Sequence, residues 1–288
     1  MRIFDPHIHM SSRTTDDYER MAGAGVRALV EPAFWLGQPR TNTGSFTDYF
    51  DSLIGWEPFR ASQFGIRHHC AIALNPKEAN DPRCREVLSV LPRYLAKDGV
   101  VAVGEVGYDS MTPEEDEVFA VQLALAVEHD LPVLVHTPHR DKQRGTLRTL
   151  DVLKESGIDR GRVVIDHLNE VTVGLVADSG CWMGFSIYPG TKMSPRRMAV
   201  VLSQYGLARM LVNSAADWGR SDPLLTLRTG QAMLTAGFTG DEVDRVLWRN
   251  PAEFYGQSGR LDIASADEPA PAIAGNSFAG NSIARGET

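Results

Sequence analysis

The chain has 288 residues, 43% hydrophobic and 23% charged, enough for one large core or two smaller ones. Its formal net charge of -8 disfavours nucleic acid as a partner, because tight duplex binding needs a concentrated basic surface; a local basic pocket stays compatible with it. No apolar run reaches the roughly 18–20 residues of a membrane span, so no membrane association is expected. The chain opens without the basic and apolar regions of a signal peptide, and Cys70, Cys84 and Cys181 are too few and too scattered for a disulfide framework. A reducing, cytoplasmic setting is expected.

Apolar runs then alternate with amphipathic ones. Strands are predicted near 2–9, 26–34, 67–75, 99–107, 131–137, 162–168, 181–188 and 208–214, with helices in the gaps. The stretch 35–66 is longer than a simple strand–helix connection, carries Trp35 and Trp56, and contains a helix over 45–62. It either lies over the face where substrates bind or decorates the surface. The clearest helix is 113–129, with Thr112 as cap, Pro113 in its first turn and acids after it; Asp222-Pro223 starts another in the same way. Eight strands, each followed by a helix, predict a single (β/α)8 TIM-type barrel over 1–263. An open doubly wound sheet is the alternative, weakened by the lack of a Gly-rich phosphate loop after the first strand. Residues 264–288, rich in Ala, Gly and Ser, read as a disordered tail.

The strand ends carry the chemistry. The first run ends at His7 and His9, which share a strand face by their spacing. Four later runs lead to Glu105, His136, His167 and, a few residues on, Asp217. Parallel barrel strands present their C-terminal ends to one mouth, so six ligand-type groups converge there. Four imidazoles and two carboxylates suit Zn, Mn, Fe, Ni or Co better than Ca, with Mg a further option. One metal cannot use all six and stay open to substrate; two divalent metals about 3.5–4 Å apart, sharing a carboxylate, can. Such a centre lowers the pKa of bound water to about 7 and polarises the oxygen under attack, while an aspartate takes the water's proton.

These residues, in this order, resemble the TatD-like metal-dependent hydrolases of the amidohydrolase superfamily. The likeness rests on Phe4-Asp5-Pro6-His7-Ile8-His9, Gly104-Glu105-Val106-Gly107-Tyr108-Asp109, Pro132-Val133-Leu134-Val135-His136, the strand ending in His167, the late Asp217 and the closing Asn250-Pro251-Ala252-Glu253-Phe254-Tyr255-Gly256. The resemblance implies that His7, His9 and Asp217 bind one metal, that Glu105 bridges two, and that His136 and His167 bind the second. Glu105 and Asp217 are then the catalytic carboxylates, with Asp217 accepting the water's proton. Three runs depart from the family's pattern: His136-Thr137-Pro138-His139-Arg140, Leu168-Asn169-Glu170 after His167, and Ala215-Ala216-Asp217. They keep the metal cage and change the shell around it, which argues against the family's nuclease and aminoacyl-tRNA deacylase activities.

The expected substrate is a small or medium-sized molecule with an ester, amide, lactone or phosphoester bond. The alternatives are a TatD-type DNA or RNA exonuclease and a non-catalytic metal-binding accessory protein of a metabolite pathway. His139, Arg140, Tyr188 and Trp218, all near strand ends, are the substrate-contact candidates. Asp5 is either a support for a ligand or a structural hydrogen-bonding group. His68 and His69 begin a strand instead of ending one and are assigned to structure.

Overall fold

Eight parallel strands pair in chain order: β1 (Ile3–Asp5), β2 (Val26–Pro32), β3 (Arg67–Ile72), β4 (Val100–Gly107), β5 (Val133–His136), β6 (Val163–Ile165), β7 (Trp182–Ser186) and β8 (Met210–Asn213). They form the expected (β/α)8 barrel with helices between successive strands. This computed structural model describes residues 1–263; the tail read at 264–288 lies outside them. Beyond the strand ends, Ala215 N donates to His7 O at 2.9 Å and His9 N to Ala216 O at 2.9 Å, drawing the β8 end against the β1 end.

Two apolar layers hold the barrel. Between sheet and helices lies the larger one, which includes Leu29, Val103, Phe119 and Leu202. The inner layer takes Phe4, Ala28, Val30, Ala71, Val101, Leu134, Val164 and Leu211 from alternate strand positions. The helix Asn250–Gly256 packs against these inner residues. Phe254 meets Trp182 with ring centroids 5.5 Å apart, Tyr255 meets Phe4 at 6.0 Å, and the Tyr255 hydroxyl donates to Pro6 O at 2.6 Å.

Several predicted strands are shorter in the structure. The first ends at Asp5, because Pro6 has no N–H to continue pairing; His7 and His9 therefore stand on the segment after the strand. The sixth ends at Ile165, leaving Asp166 and His167 beyond it. The helix read at 45–62 is one helical run from 43 to 62, its middle turn wider than α, and Asn42 Oδ1 caps it by accepting from Ser45 N at 3.0 Å. It belongs to the outer ring, where Phe50 packs on Tyr94 with centroids 5.1 Å apart. The residues before it reach the mouth, where Trp35 packs on Trp218 with centroids 6.1 Å apart. Thr112 caps Pro113–Glu128 as read, accepting from Glu115 N at 3.2 Å. The helix after Asp222-Pro223 starts at Leu225, with Asp222 Oδ1 accepting from Leu224 N at 3.0 Å.

Candidate metal centre

Glu105, at the end of β4, is the hub. Its Oε1 lies 3.3 Å from His7 Nε2, 3.3 Å from His136 Nδ1 and 3.3 Å from His167 Nε2. The second carboxylate oxygen accepts from Asn75 Nδ2 at 3.0 Å, and the other N–H of that amide reaches Ala33 O at 3.2 Å. His9 Nε2 faces His7 Nε2 at 3.0 Å. Two donor groups result, His7–His9–Glu105 and Glu105–His136–His167, with one carboxylate in common. All five side chains are buried.

His7 and His167 are oriented from behind. Asp166 Oδ2 accepts from His7 Nδ1 at 2.6 Å, which leaves the His7 Nε2 lone pair facing Glu105 and His9; a carboxylate behind a metal-binding imidazole is the usual support of such a ligand. Asp166 is itself fixed by His167 N at 2.7 Å and by Asn213 Nδ2 at 3.1 and 3.0 Å. Strand alternation would send Asp166 and His167 to opposite faces, but His167 has φ +62°, a left-handed conformation uncommon outside glycine, and both side chains reach the mouth. Gly184 on β7 makes room: a Cβ there would sit 2.5 Å from Asp166 Oδ1. His167 Nδ1 meets Ser186 Oγ at 2.6 Å and Lys192 Nζ at 3.2 Å. Asp5 Oδ1 accepts from His7 N at 3.2 Å and Ser214 N at 3.3 Å, tying the backbone beneath His7 to the β8 end.

The electrostatics fit a cation. Burial alone would raise Glu105, but the charge of His7 and the hydrogen bonds of His136 and His167 hold it well below the ordinary carboxylate range. Burial and the His7 charge push His9 down, and burial and Lys192 push His167 down. His7 goes up despite burial, because Glu105 and Asp166 face it. A proton on His7 thus relieves the crowding of lone pairs that a cation would relieve. His136 Nε2 and His9 Nδ1 are buried without hydrogen-bond partners. Buried imidazoles gathered around one ionised carboxylate are the donor set that a borderline divalent metal takes once it displaces the His7 proton, so the residues fit the group.

The sixth predicted ligand is placed differently. Asp217 stands at the mouth beyond β8, outside both donor groups. Its Oδ1 accepts from Tyr188 OH at 2.8 Å and from Gly219 N at 2.8 Å, which joins two of the predicted site residues. Burial and the Asp217 hydrogen bond push Tyr188 up to about 12. Trp218 is 47% exposed and packs on Phe34 and Trp35, with centroids 4.8 and 6.1 Å away; Phe34 in turn stacks on His9 at 3.8 Å. His139 stacks on His167 with centroids 6.5 Å apart. Partial burial and the charges of Lys192, His136 and Lys142 push its imidazole down to about 4. Arg140 is exposed. His68 and His69 stay out of the mouth: His68 Nε2 pairs with Glu31 Oε2 at 2.9 Å, and His69 Nε2 accepts from Asp262 N at 3.1 Å. Asp166, Ser186, Asn75 and Lys192 went unassigned in the sequence; a carboxylate directly before a strand-end histidine was the one available signal.

A parallel barrel that gathers imidazoles around a shared buried carboxylate at its mouth defines the class, a metal-dependent hydrolase. Residues 4–256 match the family described as TatD related DNase, and the chain belongs to that family. A metal-dependent hydrolase of Methanocaldococcus jannaschii is 28% identical over 257 residues, covering 88% of this chain and 99% of its own length. A candidate deoxyribonuclease of Danio rerio is 44% identical over 173 residues, covering 54% of this chain and 59% of its own. The crystal structure of a TatD-like protein from Archaeoglobus fulgidus superimposes with a TM-score of 0.72 at 25% identity, over 88% of this chain and 99% of that one. Among the described residues no helix is long and apolar enough to cross a membrane.

Proposed function

We propose that the chain hydrolyses an ester, amide, lactone or phosphoester of a small or medium-sized substrate at a centre of two divalent metals. The observation that carries this reading is the pair of donor groups sharing Glu105. Imidazole and carboxylate donors favour Zn, Mn, Fe, Ni or Co, with Mg a weaker fit. His7, His9 and Glu105 would hold one ion, and Glu105, His136 and His167 the other. Bound there, the ions supply an activated water and polarise the oxygen under attack. Asp166 and Ser186 keep His7 and His167 in the tautomers that leave Nε2 free. Asp217, its Oδ1 anchored by Tyr188 and Gly219, offers Oδ2 to take the water's proton and pass it to the leaving group. Asp217 would serve as a further ligand on the His7–His9 side. His139, Arg140, Tyr188 and Trp218 contact the substrate. Three buried free cysteines suit a reducing, cytoplasmic location.

A nuclease is the second reading, favoured by the description of the family and opposed by the net charge of -8. The test is elemental analysis of metal-replete protein, then a panel of esters, lactones, phosphodiesters and short DNA with wild type and Asp217→Asn. About two metal equivalents are expected, with kcat on the best substrate falling at least about 100-fold in the variant. Bound metal with no turnover on any class would shift the protein to an accessory role, and no bound metal would defeat the reading.

A further inference from the structure

The β5–β7 side of the mouth holds two half-buried lysines that have no carboxylate within ion-pair distance among the described residues. Lys192 Nζ meets only His167 Nδ1, at 3.2 Å, and lies 5.5 Å from the centre of the Tyr188 ring. Lys142 Nζ donates to Thr137 Oγ1 at 3.1 Å and to His167 O at 2.9 Å, both neutral acceptors, so one N–H remains. Both ammonium groups approach His167, one at its ring and one at its carbonyl. Lys77, by contrast, is neutralised by Asp109 at 2.5 Å. Placing two like charges at a partly desolvated mouth costs stability unless something compensates.

Metal binding sharpens the imbalance. For His167 to turn an Nε2 lone pair toward a metal beside Glu105, its Nδ1 must carry the ring proton. That N–H donates to Ser186 Oγ, 2.6 Å away. Lys192 is a donor only, so it then loses its hydrogen-bond acceptor. Bound metal would also neutralise Glu105, one of the carboxylates whose field favours the Lys192 charge together with Asp166 and Asp217. The loaded site therefore presents an unpaired ammonium one imidazole ring away from the metal-facing nitrogen, with Lys142 beside it.

We propose that Lys192 and Lys142 anchor an oxyanion of the substrate, a carboxylate or phosphate that is retained and not cleaved, on the His167 side of the mouth. The inference rests on the hydrolase reading and narrows its substrate to molecules carrying such a group.

The experiment is calorimetric titration of metal-loaded protein with propionate, succinate and 3-phosphonopropionate. These share a carboxylate head and differ at the far end, which is neutral, carboxylate or phosphonate. Wild type binds at least one dianion about tenfold more tightly than propionate, and the better dianion identifies the kind of oxyanion. Lys192→Gln and Lys142→Gln each remove most of that preference, Lys192→Arg keeps it, and Lys154→Gln, an exposed lysine on the same helix as Lys142, leaves it unchanged. Equal affinity for all three ligands in wild type overturns the proposal, as does a preference that survives both Gln variants. Metal content is measured on every protein. Loss of metal from Lys192→Gln would make Lys192 a support for His167 and overturn the anion role. A wild-type chain that binds no metal defeats the hydrolase reading itself, whereas a metal-loaded chain indifferent to the second charge defeats this inference alone.

Discussion

Asp166→Asn tests whether the carboxylate behind His7 sets the metal affinity. Burial alone would raise Asp166, yet the charge of His167 and the hydrogen bond of His7 hold it well below the ordinary carboxylate range. Its Oδ2 takes the His7 Nδ1 proton at 2.6 Å, its Oδ1 takes His167 N at 2.7 Å, and Asn213 Nδ2 reaches both oxygens. An amide has one acceptor where the carboxylate has two. If its oxygen keeps His7, its NH2 confronts the His167 N–H and the Asn213 amide, and buried donors are orphaned at a cost of about 1–3 kcal/mol. If the amide flips, His7 loses the partner that keeps its proton on Nδ1. Either way metal affinity should fall about 10–100-fold, equivalent to about 1.4–2.7 kcal/mol. Competition against a chromophoric chelator measures the affinity, and urea unfolding measures the stability separately. A folded Asp166→Asn protein that holds metal within about twofold of wild type would refute the orienting role, whatever its stability.

Chelation should destabilise the folded chain: a metal present at about 1,000 times its Kd contributes about 4 kcal/mol, and a thermal midpoint that EDTA leaves unmoved would contradict metal linkage. Burial pushes His69 down to about 4 from 6.5. The unfolded state then binds more protons between those values, so stability is lost as pH falls through that window. Between about pH 8 and pH 5 the loss from His69 comes to about 2 kcal/mol; His69→Gln should flatten the urea midpoint by that amount, and parallel profiles would rule out the effect. Phe254→Ala removes a fully buried ring wedged against Trp182 and Tyr255 and should cost about 3–5 kcal/mol in urea unfolding, with a loss below about 1 kcal/mol showing that the inner layer repacks freely.

The barrel was legible because each buried parallel strand is an apolar run and each ring helix has its own start signal, as at Thr112-Pro113. His7, His9, Glu105, His136 and His167 were legible because one mouth collects every strand's C-terminal end. The reason given for the pairing of His7 and His9 was incomplete: the strand stops at Asp5, and the two rings are set by Pro6 and by the backbone bonds to Ala215 and Ala216. Asp166 was hidden by strand alternation, which the left-handed φ of His167 breaks. Ser186 closes an apolar run that reads as plain core, and Lys192 sits in a loop with no periodicity to point its side chain anywhere. Asp217 was placed at the right end of the barrel, but a second left-handed residue, Ala215 at φ +42°, turns the chain beyond β8, and Tyr188 and Gly219 then claim one carboxylate oxygen.

The departures from the family's motifs fall on opposite sides of an unchanged hub. Beside the His7–His9 group the mouth is aromatic: Phe34 stacks on His9, and Trp218 and Trp35 extend that wall outward. Beside the His136–His167 group it is cationic, built from Lys142 and Lys192. A molecule lying across Glu105 therefore meets apolar surface at one end and positive charge at the other. In the proposed reading, activation of water rests on the five buried donors and Asp217, so it survives changes in the aromatic and cationic side chains of either wall. Which bond reaches that water depends on the walls, because a substrate that offers no apolar end to Phe34 and no oxyanion to Lys192 leaves the ammonium unpaired and forfeits the orientation both would enforce.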